Sequence, residues 1–252
     1  MPTTLFDHFE TTVNKYPDSL AIADIKQRAS YQDLFELVGK VSRYLLESGL
    51  KKGDRVSLVI TNSVEYAAVF YGIWAIGGVT VALNTQAKAK DIINWVNHSE
   101  AHWLFIDERH QEFKAIAAEI KSDIELISVG RGASDYQTEA AVSWQQILDQ
   151  TASEPNISLT PSDLASIIYT SGTTGHPKGV TLSHGNLSAN IDSILSYLEL
   201  TEQDSILNVL PFYYSYGNSI LHTHLAVGGS LILENSLAYP HRVMEKMASE
   251  AV

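Results

Sequence analysis

The residues best suited to chemistry form a short run of hydroxyl side chains, glycines and one lysine at positions 170–178. The members of this run that could contact a ligand are Thr170, Ser171, Gly172, Thr173, Thr174, Gly175 and Lys178. Hydroxyl donors, backbone N–H groups that glycine leaves accessible, and an ammonium group together suit a polyphosphate. The run therefore predicts an anion-binding loop in which Lys178 supplies the positive charge.

This run differs from the phosphate loop of Walker-type nucleotide-binding proteins. That loop has the pattern Gly-x-x-x-x-Gly-Lys-Ser/Thr, in which a hydroxyl residue directly follows the lysine. Here Gly179 follows Lys178, and a strand pattern comes next instead of a helix. A generic Gly- and Thr-rich run could also be a flexible hairpin whose hydroxyl groups only solvate a turn.

The wider sequence carries a family resemblance. Residues 169–180 resemble the signature phosphate loop of the adenylate-forming superfamily, which includes acyl-CoA synthetases, luciferases and the adenylation domains of nonribosomal peptide synthetases. Residues 181–187 are similar to the start of the helix that follows this loop in the family, and residues 210–217 are similar to the Pro-aromatic-x-His-x-x-Gly segment of acyl-CoA synthetases. The order and spacing fit along the whole chain, including residues 31–34 and 53–56.

The resemblance implies a two-step activation of a carboxylic acid. The carboxylate attacks the α-phosphorus of ATP, bound with Mg²⁺, to give an acyl-adenylate and pyrophosphate, and the thiol of CoA or of a carrier-protein phosphopantetheine then displaces AMP. By the same resemblance the residues of positions 170–178 hold the phosphates, and Lys178 offsets charge on the departing pyrophosphate. Tyr213, Tyr214 and Gly217 then line the acid pocket. A stand-alone adenylation enzyme that loads a carrier protein, and a nucleotide-binding relative without ligase activity, remain alternatives.

Departures from the family pattern bear on the substrate. A histidine often stands where this sequence has Tyr214, and tyrosine cannot become cationic near pH 7; Tyr214 could instead be a packed core aromatic. Peptide-synthetase domains typically carry an aspartate in this region, but residues 212–218 contain no acidic side chain, which disfavours an α-amino acid substrate. The family's later elements (an acidic Mg-binding segment, a ribose-binding aspartate, a hinge and a lysine-bearing C-terminal domain) have no counterpart before Val252. A truncated N-terminal portion is therefore expected.

Composition excludes several other classes of function. Seventeen basic and 29 acidic residues give a net charge of -12, which argues against a nucleic-acid or anionic-membrane surface. The absence of cysteine excludes disulfides and thiolate chemistry. The N-terminus does not resemble a signal peptide and no apolar run reaches the ~18 residues of a membrane span, so a cytoplasmic location is expected. His222 and His224 face different sides of a predicted helix, so no metal site is expected there. The acid, the acceptor thiol and the oligomeric state stay open.

The elements that must position these residues alternate along the chain. Strand patterns occupy residues 55–60, 79–83, 102–106, 124–129, 164–169, 179–182, 205–210 and 230–233. Helical patterns occupy residues 5–16, 31–46, 63–76, 87–97, 109–121, 144–148, 186–198, 219–226 and the stretch from 240. The alternation predicts an α/β fold with mainly parallel sheets flanked by helices. Because residues 130–161 are largely polar, we expect a first sheet subdomain with its connection in residues 1–160 and a subdomain with the phosphate loop in residues 161–252.

Overall fold

The computed structural model describes residues 4–130, 141–152, 157–170, 177–237, 240–250 and 252. In these ranges the helices are α1 (Leu5–Lys15), α2 (Tyr31–Glu47), α3 (Val64–Ala75), α4 (Ala89–Ser99), α5 (Phe113–Glu119), α6 (Trp144–Leu148), α7 (His184–Leu198), α8 (Ser215–Val227) and α9 (Pro240–Glu250). The strands are β1 (Leu20–Ala23), β2 (Arg28–Ser30), β3 (Arg55–Val59), β4 (Val79–Ala82), β5 (Trp103–Asp107), β6 (Glu125–Val129), β7 (Ala141–Ser143), β8 (Leu164–Thr170), β9 (Lys178–Ser183), β10 (Ser205–Asn208) and β11 (Ser230–Leu233). The predicted α/β class is confirmed.

The larger sheet contains seven strands in the order β7-β6-β5-β3-β4-β8-β9. All neighbouring pairs are parallel except β8 and β9, which form an antiparallel hairpin. The central strands β3 and β4 are buried along almost their whole length, as expected for parallel strands covered on both faces. Because parallel strands end on the same side, the residues that follow β3, β4, β5 and β8 meet along one side, called here the carboxyl edge.

Helix α3 joins the larger sheet to an outer helical layer, and all 12 of its residues are buried. On one side α2 packs closely against it: the hydroxyl of Ser42 donates to the carbonyl of Gly72 at 3.0 Å. A Cβ at Gly72 would lie 2.8 Å from the side chain of Val41, so glycine permits this close packing. On the other side the indole N–H of Trp74 donates to the carbonyl of Ala165 in β8 at 2.8 Å. Helix α3 therefore contacts both α2 and β8, the strand that precedes the predicted phosphate loop.

The smaller sheet contains four strands in the order β10-β11-β1-β2. Strand β11 pairs in parallel with both β10 and β1, and β1 forms an antiparallel pair with β2. The sequence patterns do not predict β1 and β2, which have only four and three residues. The pairing of β1 with β11 joins distant parts of the chain, so local periodicity carries little information about it.

The two sheets do not separate at residue 160. Strands β8 and β9 follow that position, yet β8 pairs with β4 in the larger sheet and β9 pairs with β8. Strand β1, from the N-terminal region, pairs with β11 in the smaller sheet. Residues 141–143 also form a strand, β7, within the segment expected to be only a connection. The domain boundary at residue 160 therefore stays a prediction. Each of the two sheets contains strands from both sides of it.

Several elements begin or end at positions that side-chain hydrogen bonds set. Helix α7 starts at His184, two residues earlier than predicted, because the hydroxyl of Ser183 accepts the Asn186 N–H at 3.1 Å and caps the helix. Strand β10 ends at Asn208, two residues earlier than predicted. The amide of Asn208 accepts the Leu210 N–H and donates to its carbonyl, at 3.2 and 2.9 Å, and so turns the chain out of the sheet. Within the described ranges every helix is too short or too polar to cross a membrane.

Candidate active site

The two ends of the predicted phosphate loop lie side by side in the β8–β9 hairpin. Tyr169 faces Gly179 across the hairpin, and Thr170 faces Lys178. Both Thr170 and Lys178 are exposed, so their side chains are accessible to a ligand. The other predicted phosphate ligands, Ser171–Gly175, lie outside the described residues. The structure therefore brings the first and last members of the predicted set together at the carboxyl edge.

The predicted acid-pocket residues lie where the chain leaves the smaller sheet and enters α8. Tyr213 is buried, with 9% exposure, whereas Tyr214 is 55% exposed, and their ring centroids are 4.4 Å apart. Burial, together with the neighbouring Tyr214 side chain, raises the pKa of Tyr213 to about 12. The alternative interpretation of Tyr214 as a core aromatic is wrong, because its ring is largely open to solvent.

Gly217 allows the first turn of α8 to approach the preceding segment closely. A Cβ at this position would lie 2.2 Å from the Pro211 carbonyl oxygen, a distance that no side chain can occupy without moving the backbone. The N–H of Tyr214 donates to the same carbonyl at 3.2 Å and closes a turn. Helix α8 therefore begins at Ser215, four residues before the predicted start, and its first turn lies directly behind Tyr213 and Tyr214.

Asn62 links the larger sheet to residues 210–217, which are called here the acid-pocket segment after their predicted role. It follows β3, and its amide donates to the Leu210 carbonyl and accepts the Phe212 N–H, both at 2.8 Å. Its own carbonyl accepts a bond from the amide of Asn235, which follows β11, at 2.9 Å. The residue after Asn62, Ser63, caps α3. The sequence patterns do not reveal the bonds of Asn62 to Leu210 and Phe212, because these partners lie 148 and 150 residues away.

A small cavity of about 100 Å³ marks the meeting of the two sheets. Its lining residues follow β3 and β4 in the larger sheet and β10 and β11 in the smaller one: Ile60, Thr61, Asn62, Thr85, Gln86, Val209, Pro211, Tyr213 and Asn235. Thr85 follows β4, the strand beside β8, and it lines this cavity together with Tyr213. The acid-pocket segment therefore lies beside the ends of β3 and β4, and the β8–β9 hairpin extends from the next strand at the same edge.

A larger cavity of about 500 Å³ continues along the carboxyl edge past β3, β4 and β5, and it shares Thr61, Thr85 and Gln86 with the smaller one. Its lining is polar, and Lys88 and Glu112 form an ion pair across it at 2.9 Å. The hydrogen bond from Lys88 lowers the pKa of the Glu112 carboxyl. This cavity forms where three strands meet at the carboxyl edge, so local sequence patterns do not predict it.

The histidines of α8 are core residues. His222 is buried, and its Nδ1 lies 2.8 Å from the hydroxyl of Tyr71; the Nδ1 of His224 lies 3.0 Å from the Ile220 carbonyl. Burial lowers the pKa of His222 to about 3. Among the described residues, no group of three or more histidines and carboxylates is placed to hold a metal ion.

The chain belongs to the AMP-binding enzyme family, whose model matches residues 9–252. Its identity to the Hybrid PKS-NRPS synthetase LUC5 of Fusarium sp. is 30% over 252 residues. This match covers 99% of this chain and 6% of LUC5. The chain is 28% identical over 217 residues to a 2-succinylbenzoate–CoA ligase of Bacillus cereus, covering 86% of this chain and 40% of that ligase. The chain thus spans less than half the length of these two relatives.

Solved structures that share this fold include MatB and the N-terminal domain of FACL13. ATP-bound MatB from Rhodopseudomonas palustris is 27% identical and superposes with a TM-score of 0.83, over 98% of this chain and 48% of that one. The N-terminal domain of FACL13 from Mycobacterium tuberculosis has a TM-score of 0.88 over 100% of this chain and 62% of that one. At 23% identity the second likeness concerns the fold alone.

Proposed function

We propose that this chain provides the phosphate-binding and acid-binding part of an AMP-forming acid–thiol ligase. The observation that carries the proposal is the β8–β9 hairpin, which places exposed Thr170 and Lys178 opposite each other at the carboxyl edge. Ligands of open α/β sheets bind at this edge. The family match, together with the ATP named in the MatB structure, supports ATP as the nucleotide.

The described residues fit a polyphosphate at the hairpin. The chain as a whole carries a charge of -12, so a local source of positive charge is needed to hold ATP. Lys178 is such a source, and within the described part of the chain no carboxylate forms an ion pair with it. Thr170, Ser171, Thr173 and Thr174 would donate hydroxyl hydrogen bonds to the phosphate oxygens, and Gly172 and Gly175 would let backbone N–H groups approach. Mg²⁺ would accompany the nucleotide.

The chain's own residues then bind and orient the reactants. When bound, ATP supplies an adenylyl group: a carboxylate oxygen bonds to the α-phosphorus as pyrophosphate leaves, and a thiol later takes the acyl group as AMP leaves. Such a transfer depends on positioning and on neutralising charge. Lys178 neutralises charge on the departing pyrophosphate, and the segment that contains Tyr213, Tyr214 and Gly217 holds the acid beside it.

The acid-pocket segment favours a fatty or aromatic acid over an α-amino acid. The exposed rings of Tyr214 and Tyr216 offer apolar and aromatic contact, whereas residues 212–218 contain no carboxylate that could pair with an α-ammonium group. Burying an unpaired ammonium group costs several kcal/mol. The proposed acceptor is the thiol of CoA. A carrier-protein phosphopantetheine is the second candidate, because relatives include LUC5 and a plipastatin synthase subunit at 28% identity.

Acid-dependent exchange of labelled pyrophosphate into ATP tests the proposal. The assay uses the natural polypeptide that contains residues 1–252, with aryl, fatty and amino acids in parallel. Exchange that depends on an aryl or fatty acid is expected. Exchange with amino acids alone would overturn the predicted acid class, and no exchange with any acid would contradict the ligase activity. CoA and a phosphopantetheinylated carrier protein, offered to the adenylate that forms, distinguish the two acceptors.

A further inference from the structure

Tyr169, the residue before Thr170, is held by helix α4. Its hydroxyl lies 2.8 Å from Nδ1 of His98 and 3.3 Å from the carbonyl oxygen of Trp95. Its ring also lies near the rings of Trp95 and His98 in α4, with centroid distances of 5.9 Å and 5.8 Å. Two consecutive turns of one helix therefore contact a single side chain at the end of β8.

One assignment of protons satisfies both contacts of the hydroxyl. The carbonyl of Trp95 can only accept, so the phenol O–H of Tyr169 donates to it. The phenol oxygen then accepts a hydrogen bond from the Nδ1–H of His98. Tyr169 thus has both a donor and an acceptor on α4, and a phenylalanine in its place would lose both.

The ring of Tyr169 also lies across the facing strand at Gly179. These two residues form a cross-strand pair. A Cβ added at Gly179 would lie 2.7 Å from the side chain of Ile167 and 3.6 Å from Cζ of Tyr169, so Ile167 occupies the Cβ position and the ring of Tyr169 lies beside it at van der Waals distance. The pair that comes next, Thr170 with Lys178, is the last pair of the hairpin among the described residues. The position of that last pair depends on the pair beneath it.

We propose that Tyr169 is a positioning residue for phosphate binding: α4 holds its hydroxyl, and its ring packs beside Gly179 and so keeps Lys178 opposite Thr170. The last pair of a hairpin frays unless side-chain contacts hold it, because ordering each residue costs conformational entropy. A ligand that needs Thr170 and Lys178 side by side would otherwise have to supply this ordering itself. The inference deepens the proposed function and depends on it, since it concerns the same phosphate site.

The test measures binding of ATP and of inorganic tripolyphosphate to the chain by titration calorimetry. The variants are Tyr169→Phe, His98→Ala and the double substitution. The matched control is Tyr44→Phe, which removes a hydroxyl that is bonded to Glu125 at the first residue of β6, away from the carboxyl edge. Each single variant should bind both ligands about two- to tenfold more weakly, the range expected for one hydrogen bond. The double variant should be no weaker than the product of the singles, and Tyr44→Phe should bind like the wild type.

The outcomes separate this inference from the proposed function. If the wild type binds neither ATP nor tripolyphosphate, the proposed function fails and this inference fails with it. If the wild type binds both but Tyr169→Phe and His98→Ala bind equally well, only the positioning role is wrong. Unliganded melting curves complete the test, because a purely structural role for Tyr169 would lower Tm while leaving both dissociation constants unchanged, and that result would also overturn the inference.

Discussion

Mild acid should destabilise the fold through two buried histidines, His184 at the start of α7 and His222 in α8. His184 is fully buried, and within the described residues neither of its ring nitrogens has a hydrogen-bond partner. The rings of both histidines contact Trp74, with centroid distances of 5.3 and 4.9 Å. A cation at either position would lose its hydration and gain no counter-charge in contact with it.

The pKa values give the sign and the size of the effect. Burial lowers the pKa of His184 from 6.5 to about 4, although Asp163 and Asp7 act to raise it and Lys52 acts to lower it further. Burial, with a smaller contribution from His184, lowers the pKa of His222 to about 3. Between pH 6.5 and these values the unfolded chain binds more protons than the folded chain, so stability is full above pH 6.5 and falls as the pH falls. From pH 7 to pH 5 each histidine should remove about 2 kcal/mol, or about 4 kcal/mol together.

Urea unfolding at pH 7 and pH 5 measures this loss. His184→Gln and His222→Gln remove one titrating group each, and the double variant removes both, so the pH-dependent loss should shrink by about 2 and about 4 kcal/mol. His102→Gln replaces an exposed histidine and should behave like the wild type. Comparing losses within each variant cancels the cost of the substitution itself. If the double variant loses as much stability between pH 7 and pH 5 as the wild type, the two histidines are not buried as neutral groups and the reasoning is refuted.

Two further predictions concern the acid-pocket segment. Gly217→Ala would place a Cβ 2.2 Å from the Pro211 carbonyl oxygen and should lower the free energy of unfolding by about 1 to 3 kcal/mol; a loss below ~0.5 kcal/mol in urea unfolding would mean that the α8 turn shifts freely. Asn62→Ala leaves the Phe212 N–H and the Leu210 carbonyl without their partners and should cost about 2 to 4 kcal/mol. A loss below ~0.5 kcal/mol in urea unfolding would show that neither bond contributes to stability.

The sequence predicts the fold where the pattern is local. Buried parallel strands such as β3 and β4 are short, mostly apolar runs, and helices α1 and α2 have clear apolar faces and capping residues, so their existence follows from the local pattern. The short strands β1, β2 and β7 could not be predicted in this way, because three or four residues carry no period. Strand β1 also pairs with β11, more than 200 residues further along the chain, and only the assembled sheet reveals that pairing.

The candidate site shows the same limit. The phosphate run is contiguous, so its residue types and order point to its chemistry, and the hairpin that closes it follows from two neighbouring strands. Asn62 and Tyr169 act through partners that are 71 or more residues away, such as the bond from His98 to Tyr169 and the bond of Asn62 to Leu210. A single sequence does not reveal such pairings. The exposure of Tyr214 likewise depends on where α8 begins, which Gly217 and Pro211 decide together.

The proposed role of Lys178 is to bind the phosphates of ATP and not to stabilise the fold. One comparison of two lysine variants tests this role most directly. ATP binding to the chain is measured by titration calorimetry beside unliganded melting curves for Lys178→Ala and for Lys121→Ala. Lys121 is an exposed lysine that precedes β6, at the opposite end of the strands. Lys178→Ala should weaken ATP binding roughly ten- to several-hundred-fold, the range for a partly solvated charge pair, with Tm almost unchanged, and Lys121→Ala should change neither quantity. Unchanged ATP binding together with a Tm several degrees lower for Lys178→Ala would contradict the account.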